Sequence, residues 1–223
     1  YHSAILIFNL CSNIHGTPLS IKSQELIMNY FQLTLSTLVE DFDLITQNKA
    51  QFAEMNNTLH YIFACFHMIW KYYSYMLNYT FLSNESILNL FVKCMSYPVQ
   101  KIQSGALNSI HLILKSTDQF YEENINNLIN KLIDLGILEV IKSIFFCKES
   151  QKGSLLRVLS TMWSHDQNKI ELFKKDDVLL NIISYGVFSF DLKVLSLSSN
   201  CMQDLNVLRD NIKYVAMNGH HIT

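Results

Sequence analysis

Between Leu135 and Ile183 the apolar residues return every three or four positions, pause for a few polar ones, and return again. Leu138, Ile141, Ile144 and Phe145 form one such run, and Leu155, Leu156, Leu159, Met162 and Trp163 form the next. A period of three to four predicts helices with one sticky face each. Gly136 sits where the preceding helix must stop, and glycine accepts the left-handed turn that closes a helix. Lys148 to Gly153 is a polar gap, and Asp166 is placed to cap a further helix carrying Ile170 and Phe173. Asp176 and Asp177 open another, where negative charge suits the positive end of the helix dipole. Its stripe is Val178, Leu179, Ile182 and Ile183.

This block also begins to repeat itself. LGILEVIKSI is echoed by DDVLLNIISY, and LLRVLSTMWSHDQNKI by LKVLSLSSNCMQDLNVL, at an offset of about 40 residues, a period typical of stacked helical repeats. Short helices of this kind draw most of their stability from packing, so each must lie on its neighbours.

The rest of the chain reads the same way. Ala4, Ile7, Leu10, Cys11 and Ile14 mark a first helix that stops near Gly16 and Pro18, and Ile27, Phe31, Leu35, Leu38 and Phe42 a long second one. Leu59 to Leu82 is the most apolar and aromatic stretch, but Lys71, His60, His67, Ser74 and Asn78 interrupt it with groups that a lipid core penalises. It therefore reads as a buried helix with Leu59, Ile62, Phe63, Phe66, Trp70, Tyr73 and Leu77 inside, not as a membrane span. A shorter helix follows Asn84, with Ile87, Leu88, Phe91 and Met95 inward. Pro98 breaks the chain before a longer one carrying Ile102, Ala106, Ile110, Ile113 and Leu114. Asp118 is placed to cap a helix whose stripe is Ile125, Leu128, Ile129 and Leu132. Leu192 to Val215 supplies a last pair, and residues 218–223 read as a frayed tail. Residues 1–217 thus read as one helical-repeat domain. The chain starts inside an apolar pattern without an initiator Met, which reads as a piece of something longer.

Composition agrees. Hydrophobic residues make up 49% of the 223, ample for a core, while 6 Gly and 2 Pro supply too few turns for a many-stranded barrel or sandwich. A net charge of -2 argues against a nucleic-acid footprint. The 5 cysteines are widely spaced, odd in number and set within apolar stripes, which predicts buried, reduced thiols in a cytosolic setting.

Chemistry-bearing motifs are scarce. There is no phosphate-cradling glycine run, no GxSxG elbow and no HExxH. His60, Cys65 and His67 come nearest to a metal cluster, but the histidines are two helical turns apart and the cysteine points elsewhere, a poor arrangement for one ion. Cys147, His165 and Asp166 have nothing in the sequence to bring them together. No catalytic residue, cofactor site or metal site is assigned, and the chain is read as no enzyme.

The period and the order of stripes resemble the armadillo family. That resemblance implies an all-α, armadillo/HEAT-like α-solenoid in which three helices per repeat stack and the third lines a groove for a peptide or helix of another protein. Importin-type members set Trp and Asn four residues apart on successive third helices. Here Trp70 is followed by Ser74 and Trp163 by Gln167, so a receptor of that kind is disfavoured. Leu155 to Leu180 also resembles a C-terminal armadillo-like repeat of the rotatin family of centriolar scaffolds, through Leu155-Leu156, Trp163-Ser164, Asn168-Lys169 and Val178-Leu179, with one residue inserted before Asn168. That likeness implies a part in building centrioles or basal bodies, at the centrosome.

The expectation is a cytoplasmic, non-enzymatic scaffold that binds another protein, without nucleic acid or a membrane span. Two alternatives stay open: a regulatory or transport-adaptor repeat domain, or the helical accessory domain of an enzyme whose active site lies elsewhere. If the helices after Gly136 and Asp176 line the groove, helical phase turns Glu139, Lys142, Phe146, Asn181 and Tyr185 toward the partner.

Overall fold

The computed structural model describes residues 5, 8–9, 20–45, 49–73, 82–116, 122–147, 151–165 and 176–186. Eight helices are delimited among them: α1 (Ile21–Ile45), α2 (Lys49–Tyr73), α3 (Glu85–Met95), α4 (Gln100–Ser116), α5 (Glu122–Asp134), α6 (Ile137–Phe145), α7 (Lys152–His165) and α8 (Asp177–Gly186). Leu138, Leu159 and Ile182 all lie in helices, and no strand occurs among the described residues. The fold is all-α, built of helices packed on helices. The chain divides into two compact units, residues 1–113 with 131–136, and residues 114–130 with 137–223.

In the first unit α1 packs against α2 and α3. The period-3.6 stripe of α1 is wholly inside: Ile27, Phe31, Leu35, Leu38 and Phe42 are buried. A second row, Leu26, Tyr30 and Leu33, stands exposed on the same helix. The core is aromatic. Phe91 meets Phe63 at 5.2 Å between ring centroids and Phe66 edge-on at 5.5 Å, and Phe66 stacks on Phe31 at 6.4 Å. Such pairs add about 0.5–1.5 kcal/mol beyond the area they bury.

The ends of α3 follow from local chemistry. Asn84 caps it, its side-chain oxygen accepting from the Ile87 N–H at 3.2 Å. The helix ends at Met95, ahead of Pro98, whose ring restricts the residue before it. Tyr97 in the break is buried, its ring 5.9 Å from Phe42 and 5.8 Å from Phe52. Gly136 has φ +81°, the left-handed region. Its N–H bonds the Ile133 carbonyl at 2.8 Å, so α5 closes and α6 starts at the next residue.

In the second unit α6, α7 and α8 pack on one another. Ile137, Leu138, Ile141, Ile144 and Phe145 of α6 are buried, as are Leu155, Leu156, Leu159, Met162 and Trp163 of α7.

Four readings change. Val178 is 38% exposed, so the inward face of α8 is Leu179, Ile182 and Ile183. Val178 lies in the first turn beside the cap, ahead of the packed stripe. Cys65 and Cys94 are buried as expected, but Cys147 is exposed, because α6 ends at Phe145 and Cys147 lies in the turn beyond it. The aromatic helix starts at Lys49, well before Leu59, and buries Met55 one turn ahead of it. Trp70 in the expected stripe is only half-buried.

The predicted first helix (Ala4 to Ile14) is described at residues 5, 8 and 9 alone. Leu77, the caps at Asp118 and Asp166 with Ile170 and Phe173, the pair from Leu192 to Val215 and the tail 218–223 lie outside the described residues. Among the described residues no helix is long and apolar enough to cross a membrane.

Candidate protein-binding surface

All five residues singled out by helical phase fall in the second unit, on α6, on α8, or in the turn after α6. They separate into a charged set and an aromatic one.

The charged set is built on Asp176, the cap of α8. One oxygen, Oδ1, accepts from the N–H groups of Val178 and Leu179, both at 3.1 Å, while its backbone carbonyl takes the Leu180 N–H at 3.0 Å. The other oxygen, Oδ2, is 2.6 Å from Nζ of Lys142 on α6. Lys142 Nζ also lies 2.6 Å from Glu139 Oε1, three residues earlier on its own helix. The Lys142 side chain is 20% exposed and that of Glu139 77%. Lys142 therefore clamps α6 to the start of α8, and Glu139 is left at the rim. The hydrogen bond to Asp176, then that to Glu139, holds the Lys142 ammonium above its ordinary range against the pull of burial. Burial works to raise the Asp176 carboxyl, but the Lys142 bond and the two backbone N–H groups outweigh it and hold it below its ordinary range.

Asp176→Ala removes a cap and an ion pair together, and is expected to lower stability by about 1–2 kcal/mol. Asp176→Asn keeps the cap and should lose under about 1 kcal/mol. The sign with pH follows from the shifts. A depressed carboxyl stabilises the fold above its unfolded value near pH 4, and that is lost as pH falls through the folded value. A raised ammonium stabilises below its unfolded value of about 10.4, lost as pH rises through the folded value. The gap between wild type and Asp176→Ala in urea midpoint should thus be level from about pH 5 to 9 and narrow near pH 3.

The aromatic set centres on Phe145. The Tyr185 ring stands edge-on to it at 5.4 Å and the Phe146 ring edge-on at 5.5 Å. Lys152, in the first turn of α7, places Nζ 4.6 Å from the Tyr185 ring centre and 5.3 Å from that of Phe145. Phe145 is buried and Tyr185 half-buried, while Phe146 is 65% exposed. Tyr185 thus serves packing and surface at once, so its expected turn away from the core is only partial. Asn181 is exposed one turn before it on α8.

Sequence reasoning missed two members, Lys152 and the ion-pairing role of Asp176. Lys152 lay in a polar gap with nothing marking its place beside Tyr185. Asp176 was legible as a cap, and only its second oxygen is new.

Elsewhere, burial drives the Cys94 thiol far up, with neighbouring Lys93 opposing, so it stays protonated in the core. His60 and His67 are exposed on α2 while Cys65 is buried, and no group among the described residues could hold a metal ion. The side chains of His165 and Asp166 lie outside the described residues.

No protein-family model matches this chain, and no curated protein matches it. Solved structures do. An engineered protein from the Northeast Structural Genomics Consortium superposes with a TM-score of 0.58 at 13% identity, over 91% of this chain and 71% of its own. A second engineered protein from the same consortium gives 0.56 at 12% identity, over 90% of this chain and 47% of its own. What this chain has in common with both is the path of its helices, and the likeness establishes the fold alone.

Proposed function

We propose that this chain is a non-enzymatic protein-interaction scaffold of armadillo-like helical repeats, whose partner, another protein, docks over Phe146. The observation that carries the reading is a phenylalanine 65% exposed beside Phe145, whose ring packs edge-on with Tyr185 and lies under Lys152. Burying such a ring is how a few anchors come to dominate an interface. Exposed Glu139 and Asn181 supply a polar rim, and Lys142, held by its two carboxylates, fixes the geometry beneath.

The likeness of Leu155 to Leu180 to a rotatin repeat supports centriole or basal-body assembly as the setting, and hence a cytoplasmic, centrosomal location. Of its residues, Leu155, Leu156, Trp163 and Leu179 are core positions.

Proximity labelling with the whole chain fused to a biotin ligase tests both parts. Phe146→Ala should weaken the dominant neighbour about tenfold with an unchanged melting temperature, whereas Tyr185→Ala should lower both. Unchanged labelling by Phe146→Ala would remove the anchor, and neighbours that are not centriolar would remove the setting.

A further inference from the structure

We propose that a trough between α2 and α4 in the first unit docks an acidic peptide segment of a partner protein. α2 turns His60, Phe63 and His67 to one side, at spacings of three and four residues that share a helix face. α4 turns Lys101, Gly105 and Asn108 to meet them. The two helices come together at Gly105, where an added Cβ would lie 2.8 Å from both Cβ and Cγ of Phe63. With the backbones so close, the longer side chains diverge at the edges and leave a cavity of about 490 Å³, within the range of ligand pockets. At 1.5 Å per residue, His60 to His67 spans about 10 Å, the length of roughly three residues of extended chain.

Charge selects the occupant. The chain has 19 acidic against 17 basic residues and a net charge of -2, yet none of the residues lining the trough is acidic. The titratable ones are His60 and His67 from α2 and Lys101 from α4, all exposed. Lys101 stands in the first turn of α4, where the helix dipole adds positive potential. Phe63, largely buried, offers an apolar floor. Carboxylates flanking an apolar side chain complement this arrangement, with the carboxylates on Lys101 and the imidazoles and the apolar group over Phe63. A metal ion is disfavoured, because the two histidines are separated by two turns and no acidic ligand joins them.

The trough belongs to the first unit and the Phe146 surface to the second, so the two proposals stand independently. The test is fluorescence polarisation with the whole chain and a fluorescein-labelled octapeptide alternating aspartate with leucine. Its counterpart with lysine replacing aspartate is run beside it, as is a single-stranded DNA octamer. The acidic peptide should bind, and Lys101→Glu or His67→Glu should weaken it about tenfold with an unchanged melting temperature, while Phe146→Ala leaves it alone. Because the chain is net negative, such binding cannot come from overall charge. Equal binding of the lysine peptide, indifference to both glutamate variants, or preference for the DNA octamer would overturn the proposal.

Discussion

Phe91→Ala is expected to cost the first unit about 3–5 kcal/mol, the largest loss from any single side chain considered. The ring is fully buried and touches two others, Phe63 at 5.2 Å and Phe66 at 5.5 Å. Its removal takes away the transfer free energy of the ring and leaves a void that its neighbours fill only in part. Phe63 and Phe66 both belong to α2, so the void opens where α3 meets that helix. Urea unfolding followed by circular dichroism should show a lower midpoint, with Phe146→Ala as the unshifted control. Since domain stabilities are commonly 5–15 kcal/mol, a loss under about 1 kcal/mol would mean that Phe91 is not at the centre of this core.

The reason that such a core residue could be named from sequence is periodicity. Phe91 falls in register with Ile87, Leu88 and Met95, and burial of the whole set follows from one helical face meeting a neighbour. The same logic placed Phe31, Leu128, Ile141 and Leu159 inside, and Gly136 at a break. A one-dimensional pattern carries little about which faces meet. Lys142 reads as a solvent-facing lysine, yet its partner Asp176 lies on the approach to another helix, and only packing brings the two to 2.6 Å. Val178 satisfies the period but lies at the edge of the face that Leu179, Ile182 and Ile183 bury, and is left 38% exposed. Cys147 looks apolar by company and is exposed because α6 stops short of it.

The candidate surface was legible to the same degree. Helical phase brought Phe146 outward and put Tyr185 and Asn181 one turn apart. It could not foresee that Tyr185 would brace Phe145, nor that Lys152 would lie over both rings. For the docking proposed over Phe146 those contacts matter, because a ring resting on a packed neighbour loses less freedom on binding than one with no neighbour. Lys142 contributes to that bracing by holding α6 against the cap of α8.

Gly105→Ala gives the sharpest test of the first unit because two effects oppose each other. In a helix interior, alanine is favoured over glycine by about 1 kcal/mol, so propensity alone predicts stabilisation. Packing predicts the reverse, since the new methyl would meet Phe63 Cβ and Cγ at 2.8 Å. Cβ is fixed to the backbone, so no rotamer change of Phe63 relieves the contact, and α2 and α4 must separate. Overpacking of this kind costs about 1–3 kcal/mol and separates buried Ala106 and Leu107 from their neighbours as well. The net expectation is destabilisation by up to about 2 kcal/mol, read as a lower urea midpoint. A cycle with Phe63→Ala locates the cause. That change removes the ring carbons but leaves Cβ, so the double variant should lose less than the sum of the singles while still falling below Phe63→Ala alone. Strict additivity would place the loss outside this helix crossing, and a stabilised Gly105→Ala would show that the two backbones do not approach so closely.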